Sequence, residues 1–202
     1  MLVKHNNNSI SDITSAGQLA QGKMTLISSQ TASGSASIEF TSGIDSTYPI
    51  YKFEFISIHP ATDDVNFQFN MSTDGGSTYA VTKTSTAFGA YHDEIFDDSI
   101  LYYDTSRDLA QSTGSQPFFT LPTSSDNDHA SNGELILFNP SSDTFVKHYI
   151  SRTASTSKND YSVDSYIAGY GNTTSSIDAV KFQMSSGNID SGTIKLYGIK
   201  GD

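Results

Sequence analysis

A chain of 202 residues with 22 acidic side chains against 11 basic ones, and a formal net charge of −11, is poorly suited to nucleic acid or to an anionic membrane surface. Neutralising phosphates takes clustered Lys and Arg, and here the basic residues are spread singly along the sequence. Cysteine is missing altogether, which excludes disulfides, thiolate metal sites and cysteine catalysis.

Residues 1–22 are small and polar, include Asn6, Asn7 and Asn8, and sustain no period. They read as an extended attachment arm of the kind ordered by a neighbouring subunit. The start lacks the apolar stretch of a signal peptide, so synthesis in a cytoplasm without export by the usual route is expected. No apolar run approaches the ~20 residues of a membrane span, and membrane insertion is not expected.

From 23 to 202 the pattern is that of β-structure. Short strands are predicted over 24–28 and 37–41. Over 51–58 apolar and polar residues alternate before the run becomes continuously apolar. Over 65–71 every odd position is apolar, so Val65, Phe67, Phe69 and Met71 share one face of a strand, an arrangement no helix offers. Asp74, Gly75 and Gly76 follow as a hairpin turn, because Gly tolerates positive φ, with 79–81 as the returning strand. The region 88–128 reads as long loops holding a short strand or two and a brief helix near 106–111, and 124–133 is a polar loop. Further strands are predicted over 134–138, 144–152, 161–170, 179–184 and 193–199. Pro140 belongs to the turn after the first of these, since Pro has no donor for a ladder.

Roughly ten short strands with almost no helical period predict an all-β fold. The expected form is a two-sheet antiparallel β-sandwich, jelly-roll-like, over 23–202, with the N-terminal arm over 1–22. Ile194, Leu196, Tyr197 and Ile199 crowd the C-terminus. They predict a last strand that pairs between earlier strands and seals the core.

No strong catalytic signature emerges. His92, Asp93 and Glu94 are adjacent in a predicted strand, where neighbours point to opposite faces and cannot share a site without a bend. A glycosidase needs two carboxylates at a fixed gap, and nothing in the spacing of Asp93, Glu94, Asp97, Asp98 and Asp104 picks out a pair. Asp97, Asp98, Asp126 and Asp128 offer the hard oxygens calcium prefers, but the EF-hand pattern is missing, so plain surface loops are expected and no cofactor. His59 and His148 read as edge or core residues. Asn70 and Asn172 head glycosylation tripeptides that have no meaning without export. Tyr gives large contact area with a polar tip, so Tyr91, Tyr102, Tyr103, Tyr161, Tyr166 and Tyr170 offer a surface for a glycan or a protein, although most of the six read as half-buried sandwich residues; Tyr91, Tyr102, Tyr103, Asp126 and Asp128 are the candidate glycan contacts.

Four segments then carry a resemblance: YKFEFISIHPATD (51–63), NPSS (139–142), FVKHYISR (145–152) and SSGNIDSGTIKLYGI (185–199). They resemble stretches of structural proteins from tailed bacteriophages that infect aquatic bacteria, and the resemblance covers most of the chain. It implies a virion protein made in the host cytoplasm, attached by its arm to other virion proteins, and homotrimeric. Two placements compete. A tail-fibre or baseplate module would contact host surface glycans through its loops. A head decoration or cement protein would clamp neighbouring capsid subunits with its arm. The first is taken as the leading expectation, and a jelly-roll carbohydrate-active enzyme is the third.

Overall fold

A computed structural model describes residues 24–95 and 98–200. The arm predicted over 1–22 and the carboxylate of Asp97 lie outside the described residues. The larger sheet has eight strands, side by side in the order β1 (Met24–Thr31), β12 (Ile189–Ile199), β3 (Ile50–Pro60), β8 (Ser131–Phe138), β9 (Lys147–Thr156), β10 (Ser162–Gly171), β5 (Lys83–His92) and β6 (Ser99–Tyr103). The smaller has four: β2 (Ile38–Phe40), β11 (Ala179–Met184), β4 (Phe67–Ser72) and β7 (Gln116–Pro117). Every strand pairing is antiparallel. The protein is therefore an all-β, jelly-roll-like two-sheet sandwich, as the patterning predicts.

The alternating runs build the core. Tyr51, Phe53 and Phe55 from β3 point inward and meet Phe67 and Phe69 from β4 and Phe182 from β11. The rings cross-brace the layers: Phe53 and Phe55 stand 5.0 and 5.4 Å from Phe182, mostly edge to face, the geometry that ring quadrupoles favour. The continuously apolar end of β3 has a local cause. Ser57 takes φ 51° and forms a bulge, so Ile56 and Ser57 face out and Ile58 returns to the core. Opposite this bulge Gly192 takes φ 119°, and a Cβ there would lie 2.7 Å from the Ser57 carbonyl oxygen.

β12 pairs with β1 on one side and β3 on the other, and Ile194 and Leu196 are fully buried. The last strand is thus anchored on both sides, with Tyr197 and Ile199 half-buried on the outer face.

Three local expectations need correction. The Asp74 turn forms, with Gly75 and Gly76 at φ 71° and 86°, but it is not a hairpin. Its Asp74 carboxylate accepts from the Thr78 amide and the Ser72 hydroxyl, and Gly75 donates to Asp178. Beyond it Tyr79 stays on the smaller sheet, where it bonds Glu39 and covers Lys181; 79–81 forms no strand, and the chain then crosses to β5 of the larger sheet. The strand that follows, β5, runs ten residues, and its second half falls in the region 88–128 expected as long loops with a short strand or two. Near 106–111 there is one turn and no helix: Asp104 accepts from the Arg107 and Asp108 amides, after which Leu109 and Ser85 exchange bonds that tie the chain to β5.

Two lysines are buried where apolar residues would be expected. Lys83 donates to Asn70 Oδ1 at 2.6 Å and to the Val81 carbonyl at 2.7 Å. Lys147 donates to the carbonyls of Ser142, Phe145 and Thr174, joining the β8–β9 turn to the loop after β10. Buried ammonium groups need such partners.

Candidate functional site

The smaller sheet cannot cover the whole inner face of the larger one. At the β5–β6 margin the cover is instead the segment 118–122, which runs close over β5. Gly89 allows this approach: a Cβ there would lie 2.3 Å from Thr120 Oγ1. Thr120 is held by the Ser165 hydroxyl, which meets both its amide and its Oγ1 at 3.0 Å.

Where this strap leaves the sheet it borders a pocket of about 460 Å³. Tyr91, Tyr102, Leu121 and Pro122 give it aromatic and apolar walls, and Asp104 and Arg107 add charge. Tyr91 and Tyr102 meet edge-on at 5.9 Å, and Tyr161 stacks on Tyr91 at 4.7 Å. The Tyr91 and Tyr161 hydroxyls both reach Asp98 Oδ2, at 3.4 and 3.1 Å. Burial raises the Tyr91 pKa, with Asp98 adding to it, whereas for Tyr161 the bond to Asp98 is the leading cause. Burial likewise raises that of Tyr102.

Two donors at this pocket are enclosed and make no hydrogen bond: the Tyr102 hydroxyl and Arg107 Nε. Arg107 Nε stands 4.0 Å from Asp104 Oδ2, while Asp104 Oδ1 is taken by the Ser106 amide and hydroxyl at 2.9 and 2.6 Å. An enclosed donor without a partner carries a cost of about 1–3 kcal/mol that an acceptor removes.

The other candidate residues are not gathered here. Tyr103 points to the opposite face of the sheet, beside Phe88, and donates to Asp108 at 2.6 Å. Asp126 and Asp128 are exposed in a separate loop, where the Asp126 carbonyl meets His59 at 3.1 Å and Asp128 stands 4.0 Å from His129. No pocket joins them to the tyrosines among the described residues. The strand-face objection to His92 and Asp93 does not hold, because β5 ends at His92 and the Asp93 amide turns back to Asp98; their side chains come within 3.8 Å. Glu94 is exposed, and the described residues contain no cluster of three His, Asp or Glu that could hold a metal. Asn70 is buried and bonded to Thr113 and Lys83.

Sequence reasoning missed Arg107, Leu121 and Pro122. Arg107 was read as part of a helix, and only the Asp104-Thr-Ser106 signature of a capped turn could have singled it out.

The wider groove, about 600 Å³, lies on the outer face of the eight-stranded sheet between Ile56, Glu134, Arg152 and Asp164. In a cleft beside it Tyr166 is flanked by Phe88, stacked at 4.9 Å, and by the Arg152 guanidinium, 5.0 Å from the ring centre. That stack presents ring edges, whereas a sugar ring packs on an open face. Compared with protein-family models, curated proteins and solved structures, the chain matches none.

Proposed function

We propose that this protein is a non-enzymatic structural module of a tailed-phage virion that contacts host surface glycans, placed at the tail fibre or baseplate, through the pocket between β6 and the strap 118–122. One observation carries the proposal: Tyr91 and Tyr102 form an aromatic wall of a pocket that the charged side chains of Asp104 and Arg107 also line. A saccharide offers an apolar ring face together with acceptor oxygens, and apolar walls with a few placed polar groups are the usual make-up of a small-ligand site. The resemblance of 51–63, 139–142, 145–152 and 185–199 to phage structural proteins supplies the virion context.

The head-decoration reading is favoured by a different observation. β1, the first strand after the arm, is a sheet edge, and Met24 and Leu26 on it are exposed. A clamp onto capsid subunits would use that edge.

The test is binding of the purified protein to envelope polysaccharides of candidate hosts, with gold-antibody labelling of intact virions alongside. Tail labelling and binding that falls at least about tenfold in Tyr102→Ala and Arg107→Ala, roughly 1.4 kcal/mol each, support the proposal. Unchanged binding in both variants overturns the pocket, and gold over the head selects decoration. Hydrolysis of a polysaccharide that is lost in Asp93→Asn or Glu94→Gln would replace the proposal with an enzyme.

A further inference from the structure

The outer face of the eight-stranded sheet differs from the chain as a whole in charge. Seven charged side chains stand on its outward-facing strand positions: Lys52, Arg152 and Lys195 against Glu54, Glu134, Asp164 and Asp190. They sum to −1 in a protein of net charge −11. They are also largely paired, Lys52 with Glu134 at 2.7 Å and Arg152 with Asp164 through two bonds of 2.8 and 3.1 Å. Between the pairs the face is apolar and open, with Leu26, Ile56, Phe88, Leu101, Tyr103 and Ile150 all more than a third exposed.

We infer that this face is the interface of a homodimer, taking a second copy of the chain in a two-fold, face-to-face packing. Charge favours that occupant. Two copies of an acidic protein repel through most of their surfaces, and a nearly balanced face removes most of that penalty.

Strand order makes the face self-complementary. With eight strands the midline falls between β8 and β9. A two-fold axis along that line sets β8 against the partner's β9, β3 against β10, β12 against β5, and β1 against β6. Glu134 then meets the partner's Arg152, and Ile136 meets the partner's Ile150, because each pair shares a row of the sheet. Glu54 lies opposite the partner's Tyr166 and Lys52 opposite the partner's Ala168. The columns beside the axis thus find an opposite charge or an apolar match, as an isologous interface requires. Eight strands ~4.8 Å apart, each contributing about five residues of ~3.4 Å, cover roughly 650 Å² per copy, or roughly 1,300 Å² in all, which falls within the range of specific interfaces. The pocket at the β6 margin opens on the other side of the sheet, so the inference does not rest on glycan binding.

Sedimentation equilibrium of the full chain across a wide concentration series tests it. The expected result is a reversible dimer of twice the 21.8 kDa protomer. Arg152→Glu sets an acid against the partner's Glu134 and weakens the dimer by about tenfold or more, and adding Glu134→Arg to it restores association. Arg152 also bonds within its own protomer, so Ile150→Lys is the second variant; Ile150 is 45% exposed and faces the partner's Ile136, and its replacement leaves the fold alone while dissociating the dimer. A monomer at every concentration overturns the inference. So does a dimer that survives both variants, or a trimer, which would return the assembly to the three-fold form that the phage resemblance implies.

Discussion

Replacing Leu196 with Ala tests whether the C-terminal strand is part of the core. Leu196 is fully buried and paired across from Phe53 on β3, with β1 on its other side. Truncation removes three carbons from a site whose walls are held by strands on both flanks, which limits how far the cavity can close. Buried Leu→Ala changes cost about 2–5 kcal/mol, and limited collapse places this one near 3–4 kcal/mol. For a chain of this size that corresponds to a melting temperature lower by roughly 6–15 °C. Urea titration followed by circular dichroism gives the difference directly, with an unchanged slope expected because the same surface is exposed on unfolding. Ile199→Ala, half-buried on the outer face, is the control and should cost less than about 1 kcal/mol. A loss below about 1 kcal/mol for Leu196→Ala would refute the claim that the last strand closes the core.

Two further outcomes follow from the backbone and from buried charge. Burial lowers the Lys83 pKa to about 8, below its ordinary 10.5, so the unfolded chain binds more protons between those values and stability rises with pH through that window. From pH 8 to 9.5 the gain should be about 1.5 kcal/mol by urea titration, before tyrosine ionisation opposes it, and it should vanish in Lys83→Met; a flat profile in the wild type would mean that Asn70 and the Val81 carbonyl fully solvate the ammonium. Gly192→Ala combines a left-handed φ with approaches of 2.7 and 2.8 Å to backbone atoms of Ser57 and Ile58, and should cost about 2–4 kcal/mol, whereas Gly34→Ala, at φ 62° with open space around it, should cost about 1 kcal/mol; equal losses in the two melts would remove the close-approach argument.

The parts of the fold legible in the sequence are those where side-chain polarity and burial agree. Phe67, Phe69 and Met71 alternate with polar neighbours and do face the core. β11 was bounded correctly because Val180, Phe182 and Met184 share one face. β5 was hard to read because its inward residues, Ser85, Ala87 and Gly89, are small or polar. They are small because the strap 118–120 lies directly over them, a contact distant in sequence. β9 inverts the usual pattern: Ser151, Thr153 and Ser155 point inward and Ile150 points out. Thr153 serves the Phe118 carbonyl of the strap and Ser151 the Glu134 carbonyl of neighbouring β8, so these inward hydroxyls are spent on backbone acceptors. The candidate tyrosines do not form one set, since Tyr102 and Tyr103 are neighbours on one strand and necessarily face opposite ways.

Both surfaces assigned a role trace to one feature, the unequal size of the sheets. A four-stranded layer buries only part of the inner face of an eight-stranded one. The uncovered inner margin at β5 and β6 has to be closed by irregular chain, and 118–122 does this by bonding to Ser165 and Thr153 across Gly89. Irregular cover packs less evenly than a strand, and its end leaves the pocket of Tyr91 and Tyr102. Among the described residues the outer face of the larger sheet meets no second layer, so its width becomes open area. A sheet face of that width in water is ordinarily polar throughout; this one carries paired charges and exposed Ile, Leu and Phe side chains, a composition that suits a surface covered in the assembled state.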